Sequence, residues 1–383
     1  MYTCGPTVYW YQHIGNFRTM LLNDILKRVL LYDGYKVKHA MNITDVDDKT
    51  IAGSRKERTS LRELTRKYEK IFFADSRALN IMKPDVVMRA TENIDEIVKI
   101  IKELIRKGYA YKTSDGIYFS IAKFREYGQL ARLDKIKRSK ERIKSDEYDK
   151  SNARDFALWK FYVPEDGNVF WETELDKGRP GWHIECSAMS MKSLGDSFDI
   201  HTGGMDLLFP HHTNEIAQSQ GATGKKFVKY WIHGGLLTLK EGKMSKSLGN
   251  IYTIEDLKKR GFNPIYFRYL CLQTHYRKPL EFSLDNLDAA KNAYNRMKRK
   301  IIELKKENHK GNDFTKEFEE RFEETINEDL NMPRAMEVVW NIIDEFDFDP
   351  KQKIKLLEKF DNVLGLDIKN MKEEKLDIPK EIK

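Results

Sequence analysis

The sequence is poor in cysteine and lacks any long hydrophobic run. Three cysteines occur in 383 residues, namely Cys4, Cys186 and Cys271. An odd number spread this widely argues against a disulfide framework and favours a reducing compartment. No apolar stretch approaches the length of a membrane span, and nothing at the start resembles a signal peptide. These absences predict a cytoplasmic protein with no membrane partner.

Charge and length set the broad class of the chain. The formal net charge is +8 and the hydrophobic content is 40%, with a sequence pI near 9.0. This charge favours a polyanionic partner without establishing one. A length of 383 residues is enough for two or three domains.

The first residues predict a strand, a loop and a helix. Residues 1–8 are mostly apolar, and apolar residues recur at helical spacing over residues 17–31. Between them, Asn16 is a suitable N-cap. Free N–H groups at a helix start attract phosphate, and a glycine such as Gly15 lets a ligand approach the backbone. The pattern fits either an anion-binding helix start, with His13 as a further donor, or a plain turn with a surface histidine.

Residues 35–43 predict a second strand, and carboxylates within residues 44–48 follow it. Ligands of a doubly wound sheet bind beyond the carboxyl ends of its strands, so these carboxylates are site candidates. Capping of the next helix by an aspartate is an equally good explanation. Ser60 and Glu63 have the spacing of a capping box and predict another helix start. Residues 132–154 are almost all charged and predict a solvated linker, or alternatively a strap that contacts RNA.

Beyond Asn250 the pattern is helical. Helices are predicted over residues 254–260, 264–272, 284–306, 314–327, 333–346 and 351–363. The helix over residues 284–306 carries an apolar stripe and a basic face. Such a face is usually solvated surface, although it also suits nucleic-acid phosphates, whose counterions Lys and Arg release.

Four potential metal ligands are scattered along the chain. His211 and Glu215 lie four residues apart at a predicted helix start and share a face. Cys4 and Cys186 come from other elements. If strand ends converge on one crevice, two thiolates, an imidazole and a carboxylate would suit zinc. From spacing alone, a surface His–Glu contact and two simply buried cysteines are the commoner explanation.

Two short motifs together resemble the signature pair of class I aminoacyl-tRNA synthetases. They are HIGN at residues 13–16 and KMSKS at residues 243–247. Further stretches are similar to those of the cysteinyl-tRNA synthetase family: CGPTVY (4–9), NITDVDDK (42–49), GRPGWHIECSAMS (178–190), FPHHTNEIAQS (209–219) and KMSKSLGN (243–250). The resemblance extends from Met1 to about Leu366.

The resemblance implies an α/β fold with a doubly wound, parallel-sheet (Rossmann-like) catalytic domain that contains an insertion and is followed by an α-helical bundle. Residues 1–83 and 156–236 would be the two halves of the catalytic domain, with the zinc site in the second. Residues 84–155 would form the inserted α/β region and charged linker. Residues 237–282 would form the KMSKS loop and stem-contact region, and residues 283–383 a tRNA-facing bundle.

The implied activity is that of a cysteine–tRNA ligase. ATP, with Mg²⁺, activates cysteine to cysteinyl-adenylate, and the cysteinyl group then passes to tRNA(Cys). One zinc ion, held by Cys4, Cys186, His211 and Glu215, would bind the substrate thiolate. A site that depends on one polar bond rejects analogues lacking it, so serine and alanine would be excluded without editing. The expected partners are tRNA(Cys), cysteine and ATP, and we expect a monomer.

The motifs imply further roles residue by residue. The expected catalytic residues, which hold phosphates and neutralise the leaving pyrophosphate, are His13, Asn16, Lys243 and Lys246. The expected ATP contacts comprise these four together with Gly15, Gly203, Gly204 and Asp206. The last three belong to a stretch similar to the family's adenosine contact, and Asp206 would lie near the ribose or the amino acid. The residues expected to line the cysteine pocket are Gly5, Thr7, Thr44 and Trp182.

The sequence also departs from the family. Asn16 stands where the class signature has a second histidine, and Thr213 where the family usually has an acidic residue. The chain begins shortly before Cys4 and ends shortly after Leu366. The family's N-terminal arm and its small C-terminal anticodon-binding module are therefore not expected within it. Either the sequence is a fragment or the protein recognises tRNA differently.

Two other functions stay open on the sequence. An ATP-dependent cysteine:glucosaminyl-inositol ligase of mycothiol synthesis would share the adenylating core and the zinc, but a small sugar acceptor requires no basic helical region. A non-catalytic paralogue that binds tRNA or cysteine would be expected to lose signature residues. The sequence keeps His13, Lys243, Lys246 and all four metal-ligand positions.

Overall fold

The computed structural model describes residues 1–133, 138–143, 153–239 and 251–373. The chain divides into two compact units. Unit 1 comprises residues 1–19, 37–75 and 83–236, and unit 2 comprises residues 20–36, 76–82 and 237–383. The KMSKS loop, with Lys243 and Lys246, lies outside the described residues.

The described strands are short, in keeping with a fold in which helices supply most of the ordered backbone. In chain order they are β1 (Tyr2–Thr3), β2 (Ala40–Ile43), β3 (Val86–Arg89), β4 (Ala110–Lys112), β5 (Gly116–Phe119), β6 (Arg138–Ile143), β7 (Ala153–Phe161), β8 (Gly178–Pro180), β9 (Phe198–Gly204), β10 (Val228–Gly234), β11 (Leu237–Leu239) and β12 (Leu280–Phe282).

The described α-helices occur in both units. They are α1 (Ile14–Tyr32), α2 (Asp48–Glu57), α3 (Leu61–Ala78), α4 (Ile94–Arg106), α5 (Trp182–Leu194), α6 (Thr213–Thr223), α7 (Ile254–Lys259), α8 (Pro264–Leu272), α9 (Leu284–Leu304), α10 (Thr315–Asn327), α11 (Met332–Asp344) and α12 (Pro350–Leu364). No helix of the described ranges is both long enough and apolar enough to cross a membrane.

Unit 1 is built on a five-stranded parallel sheet in the order β10-β9-β1-β2-β3. Tyr2 on β1 is paired with Ala40 on β2 and with His201 on β9. From β1 the strand order runs to β2 and β3 on one side and to β9 and β10 on the other. This reversal is a topological switch point, and its crevice lies beyond the carboxyl ends of β1 and β9. The predicted doubly wound parallel sheet is confirmed.

A second sheet of unit 1 has the strand order β4-β5-β7-β6, with β8 paired to β7. Strands β4 and β5 form an antiparallel hairpin. Strand β6 falls within residues 132–154, where the sequence predicts a linker. Its backbone pairs in parallel with β7, so pairing with a neighbouring strand orders part of a segment that has no apolar period of its own.

Local signals at helix starts are mostly reproduced. Ser60 and Glu63 form the predicted capping box before α3, since each backbone N–H donates to the side chain of the other residue. Helix α1 differs from the prediction because it begins at Ile14 and Asn16 lies in its first turn. His13 precedes the helix. Its side chain accepts a hydrogen bond from the backbone N–H of Asn16, and the side chain of Asn16 accepts one from the backbone N–H of His13.

The helices of unit 2 follow the predicted pattern closely. Helix α8 has the predicted bounds, and the bounds of α7 and α9–α12 differ from the predicted ones by at most two residues at either end. The apolar stripe of α9 is buried, as its members Leu287, Ala290, Tyr294, Met297, Ile301 and Leu304 show. Part of its basic face is engaged within unit 2: Arg296 lies over the ring of Trp340, and Lys305 donates to backbone carbonyls.

A buried charged residue, Arg268 on α8, holds four segments of unit 2 together. Its Nη2 lies 2.7 Å from Asp24 Oδ2, and both side chains are fully buried. Its Nε donates to the carbonyl of Leu364 at 2.6 Å, and its Nη1 donates to the carbonyls of Leu79 and Asn80. The guanidinium therefore joins α1, the segment after α3 and the end of α12 to α8.

Candidate functional site

The structure brings the four predicted metal ligands of unit 1 together. Cys4 directly follows β1, and Cys186 lies on α5. His211 lies in an irregular turn, Leu208–His212, and Glu215 lies in the first turn of α6. The helix begins at Thr213 rather than at the predicted position near residue 210, yet a spacing of four residues still points both side chains to one side.

The distances within this donor set are short. Cys4 Sγ lies 3.9 Å from Cys186 Sγ and 3.7 Å from Glu215 Oε1. His211 Nε2 lies 3.2 Å from Glu215 Oε1, and the four donor atoms are all within 4.8 Å of one another. Tetrahedral zinc with bonds of about 2.0–2.3 Å separates such ligand atoms by about 3.3–3.8 Å. The residues present therefore fit a metal ion by spacing and by donor chemistry.

Burial sets the protonation of these ligands. Burial raises the pKa of the Cys4 and Cys186 thiols, and their proximity to Glu215 raises it further. Burial also lowers the pKa of His211 to about 3, so its imidazole is neutral and has a lone pair to offer. A cation bound to these thiols and this carboxylate would stabilise their ionised forms.

A second set of donors overlaps the first. It consists of Cys4, His201, His212 and Glu215, and its atoms meet the same distance limit. His212 Nε2 lies 3.4 Å from Cys4 Sγ, and His201 Nε2 lies 3.0 Å from Glu215 Oε2. The two sets share the thiol of Cys4 and the carboxylate of Glu215. The first set has two thiols, which makes it the softer site.

Histidines behind the donors orient them. His183 Nδ1 lies 2.8 Å from His211 Nδ1, and His233 Nε2 lies 2.8 Å from His212 Nδ1. Each contact engages the Nδ1 atom of a histidine in a donor set, so the Nε2 atom of that ring is directed toward the cluster. Outer partners of metal ligands orient them in the same way. His183, His212 and His233 have no role in the predictions from the sequence. Two of them stand beside assigned residues in the quoted motifs, which is the signal that could have identified them.

The predicted cysteine-pocket residues lie on elements around the donor set. The Trp182 ring is centred 4.3 Å from the His211 ring. The Thr44 hydroxyl donates to Glu185 Oε2 at 3.0 Å, and Glu185 is the neighbour of Cys186 in the chain. Thr7 forms a parallel bridge with Thr44. Gly5 passes so close to β2 that a Cβ atom on it would lie 1.7 Å from the Asn42 carbonyl oxygen.

The predicted ATP-contact residues lie at two places in unit 1. His13, Gly15 and Asn16 form the start of α1. Gly203 and Gly204 end β9, on the carboxyl edge of the parallel sheet, and Asp206 follows them. A Cβ atom at Gly203 would lie 2.7 Å from the His212 ring, so this glycine allows the ring to approach the strand. Lys243 and Lys246 belong to the loop outside the described residues.

Comparison with known proteins identifies the family of this chain. Residues 1–292 match the family described as tRNA synthetases class I (C) catalytic domain. Over 312 residues, the chain is 49% identical to the cysteine–tRNA ligase of Brachyspira hyodysenteriae, covering 81% of this chain and 66% of that protein. It is 52% identical over 307 residues to that of Chlamydia muridarum, covering 79% of this chain and 65% of that protein.

Solved structures support the fold. The Mycobacterium tuberculosis methionyl-tRNA synthetase in complex with methionyl-adenylate superposes with a TM-score of 0.71 at 14% identity, covering 97% of this chain and 92% of that one. The chain spans about two-thirds or slightly less of the length of the curated relatives that it matches. The family match covers most of the chain, and the chain therefore belongs to the class I (C) tRNA synthetase catalytic-domain family.

Proposed function

We propose that the chain catalyses the cysteine–tRNA ligase reaction. It would form cysteinyl-adenylate and pyrophosphate from cysteine and ATP, and then transfer the cysteinyl group to tRNA(Cys). The observation that carries this proposal is the buried donor set of Cys4, Cys186, His211 and Glu215 at the switch point of a parallel sheet. Relatives that are about half identical carry the same activity in their names.

Zinc is the metal we propose for this set. When bound, it supplies a soft centre that takes a thiolate in preference to a neutral hydroxyl, which distinguishes cysteine from serine. The chain keeps water away from the donors, since Cys186, His211 and Glu215 are at most 1% exposed. Trp182, packed on the His211 ring, would close the pocket on the substrate side.

The start of α1 is the proposed phosphate site. His13 Nδ1 accepts from the Asn16 N–H at 3.3 Å. In a neutral ring this contact leaves the proton on Nε2, and an Nε2–H group is a donor suited to a phosphate oxygen. The N-terminal end of the helix favours the same negative charge. Lys243 and Lys246 would neutralise charge that develops on the pyrophosphate, and Gly203, Gly204 and Asp206 would contact adenosine.

A basic groove of unit 1 supports a nucleic-acid partner. It has a volume of about 830 Å³ and is lined by Lys123, Arg125, Lys226 and the rings of Phe124 and Trp231, among others. Within the described ranges, no acidic residue forms an ion pair with Lys123, Arg125 or Lys226. Unpaired cations beside aromatic side chains suit a phosphate backbone.

Cysteine-dependent ATP–pyrophosphate exchange tests the activation step, and charging of tRNA(Cys) tests the transfer. We expect exchange with cysteine and none above background with serine or alanine. Cys186→Ser should abolish exchange, whereas Cys271→Ser, which changes a cysteine outside the donor set, should keep it. Exchange that does not depend on cysteine, or that survives Cys186→Ser, would contradict the proposal.

A further inference from the structure

A cleft of unit 1 takes no part in the function proposed above. Its volume is about 520 Å³, which is within the usual range for a small-ligand site. The start of α3, the turn after β3 and residues 168–171 line the cleft. It shares no lining residue with the basic groove, so the two are separate surfaces.

The buried end of the cleft lies at the carboxyl edge of the parallel sheet. Asp45, which follows β2, lines it together with Thr91, which follows β3. The Thr91 N–H donates to Asp45 Oδ1 at 2.9 Å, and the Thr91 hydroxyl donates to Asp45 Oδ2 at 2.6 Å. These bonds join the two strand ends. The cleft is therefore fixed at the same edge of the sheet as the proposed reaction site.

An aromatic side chain in the cleft offers a surface for stacking. Trp171 is partly exposed there and packs against a buried apolar cluster that includes Val169. Its backbone exchanges two hydrogen bonds with Gly178, at 2.8 and 3.0 Å, which hold it in place. Phe170 also lines the cleft, but Lys177 Nζ already lies 3.8 Å from the centre of its ring. Trp171 is therefore the ring that a flat ligand would stack on.

The charges around the cleft leave one cation uncompensated. Arg66 Nη1 lies 3.1 Å from Glu69 Oε2, and its Nη2 lies 2.5 Å from Glu92 Oε1, so carboxylates neutralise it. Arg62, in the first turn of α3, is exposed and forms no ion pair with any residue of the described ranges. Asp45 is only 5% exposed. An anion at the mouth of the cleft would therefore meet the positive charge of Arg62.

A flat ring and a single negative charge are the features of one nucleotide within a strand. Bases of single-stranded RNA stack on aromatic side chains, and basic side chains bind the backbone phosphates. The phosphate of a free mononucleotide carries a charge of about −1.5 to −2, which one arginine does not neutralise. A tRNA substrate must also bring its terminal nucleotide to this edge of the sheet, and the nucleotides that precede the terminal one arrive with it.

We propose that the cleft binds one nucleotide of the single-stranded 3′ end of tRNA, other than the terminal adenosine that reacts. Its base stacks on Trp171 and its phosphate lies against Arg62. The inference rests on the proposed function and identifies where an unreactive part of the RNA substrate is held.

A cycle of protein variants and RNA lengths tests the inference. The RNAs are full-length tRNA(Cys) transcript and a transcript that lacks the single-stranded 3′ end. The variants are Trp171→Leu, Trp171→Phe and Arg62→Gln, and the affinity of each for both RNAs is measured over a range of salt concentrations. The control is Lys70→Gln, since Lys70 is an exposed cation of the same helix that does not line the cleft.

We expect Trp171→Leu to weaken binding of full-length tRNA about tenfold, the size of one lost base stack, while Trp171→Phe keeps most of the affinity. Arg62→Gln should reduce the slope of log affinity against log salt by about 0.7, the value for one phosphate of a single strand. Neither change should affect the shortened tRNA, and its unchanged binding also shows that a variant is folded. If Trp171→Leu does not fold, Arg62→Gln against Lys70→Gln decides the question.

Fluorescence reports the stacking directly. The adenine analogue 2-aminopurine is placed at each unpaired position before the terminal adenosine in turn, and its fluorescence falls when it stacks. At one position, the bound RNA should be dimmer with wild-type protein than with Trp171→Leu.

Four results would overturn the inference. They are an equal loss of affinity for the two RNAs in Trp171→Leu, an equal loss of salt dependence in Arg62→Gln and Lys70→Gln, fluorescence that does not depend on Trp171 at any position, and full displacement of the RNA end by free cytidine or adenosine monophosphate at the affinity of the intact tRNA. Failure of the proposed function is distinguishable from these. It would appear as wild-type protein that supports no cysteine-dependent ATP–pyrophosphate exchange, an assay that contains no RNA.

Discussion

Replacing Arg268 by methionine should strongly destabilise unit 2. Methionine keeps much of the length of the side chain but removes the charge opposite Asp24, which is 2.7 Å away and fully buried. Breaking a buried pair from one side costs about 3–5 kcal/mol, because the other charge is left without compensation. Asp24 retains Arg28 at 2.8 Å, which moderates the loss. The carbonyl of Leu364, however, loses its donor, so we expect about 3–4 kcal/mol.

Hydrogen exchange and urea unfolding measure this effect. Amides of α8 and of the end of α12 should lose protection in Arg268→Met, and the unfolding midpoint of unit 2 should fall. The control is Arg277→Met, which breaks an ion pair with Asp329 in which both side chains are largely exposed. Exposed pairs contribute about 0–1 kcal/mol. If Arg268→Met costs no more than Arg277→Met, the buried guanidinium does not hold these segments together, and the reasoning is wrong.

Three further predictions concern the site. Protein purified without added metal should contain one zinc ion per chain by elemental analysis; Cys186→Ser should lower that content and Cys271→Ser should not, and equal contents in the two variants would refute the donor set. Lys246→Ala should slow ATP–pyrophosphate exchange about a hundredfold with little change in cysteine affinity, since charge stabilisation acts mainly at the transition state; weaker cysteine binding at an unchanged rate would refute that role. Gly5→Ala should lower the thermal unfolding temperature measurably, because its Cβ would lie 1.7 Å from the Asn42 carbonyl oxygen; an unchanged temperature would show that β1 and β2 can move apart.

Elements with strong local signals were predictable from the sequence. Helix α8 has the predicted bounds, because Asn263 caps it and Pro264 occupies its first position. The capping box at Ser60 could be predicted equally well from the sequence. Local signals failed where a distant partner decides the structure. Strand β1 has only two residues, and β6 forms because β7 offers it a neighbour.

The candidate site was only partly predictable. Cys4, Cys186, His211 and Glu215 could be named through the resemblance of their motifs, whereas their spacing alone favoured unrelated contacts. No sequence pattern showed that Glu215 would also contact His201 at 3.0 Å. Such contacts depend on the order of strands in the sheet, which is a property of the folded chain rather than of any one segment.

The separation of the metal ligands along the chain has a consequence for folding and synthesis. Cys4 lies 182 residues from Cys186 and 211 residues from Glu215, so no short segment contains the site. An unfolded chain brings no such set of ligands together, so the ion would bind only the folded protein. An ion present at a hundred times its dissociation constant would therefore add about 2.7 kcal/mol to the free energy of unfolding. On the ribosome, Cys4 emerges long before Glu215 is made. Its thiol would have to stay reduced and unligated until then, and capture of the proposed ion would report that α5 and the start of α6 have come into place beside β1.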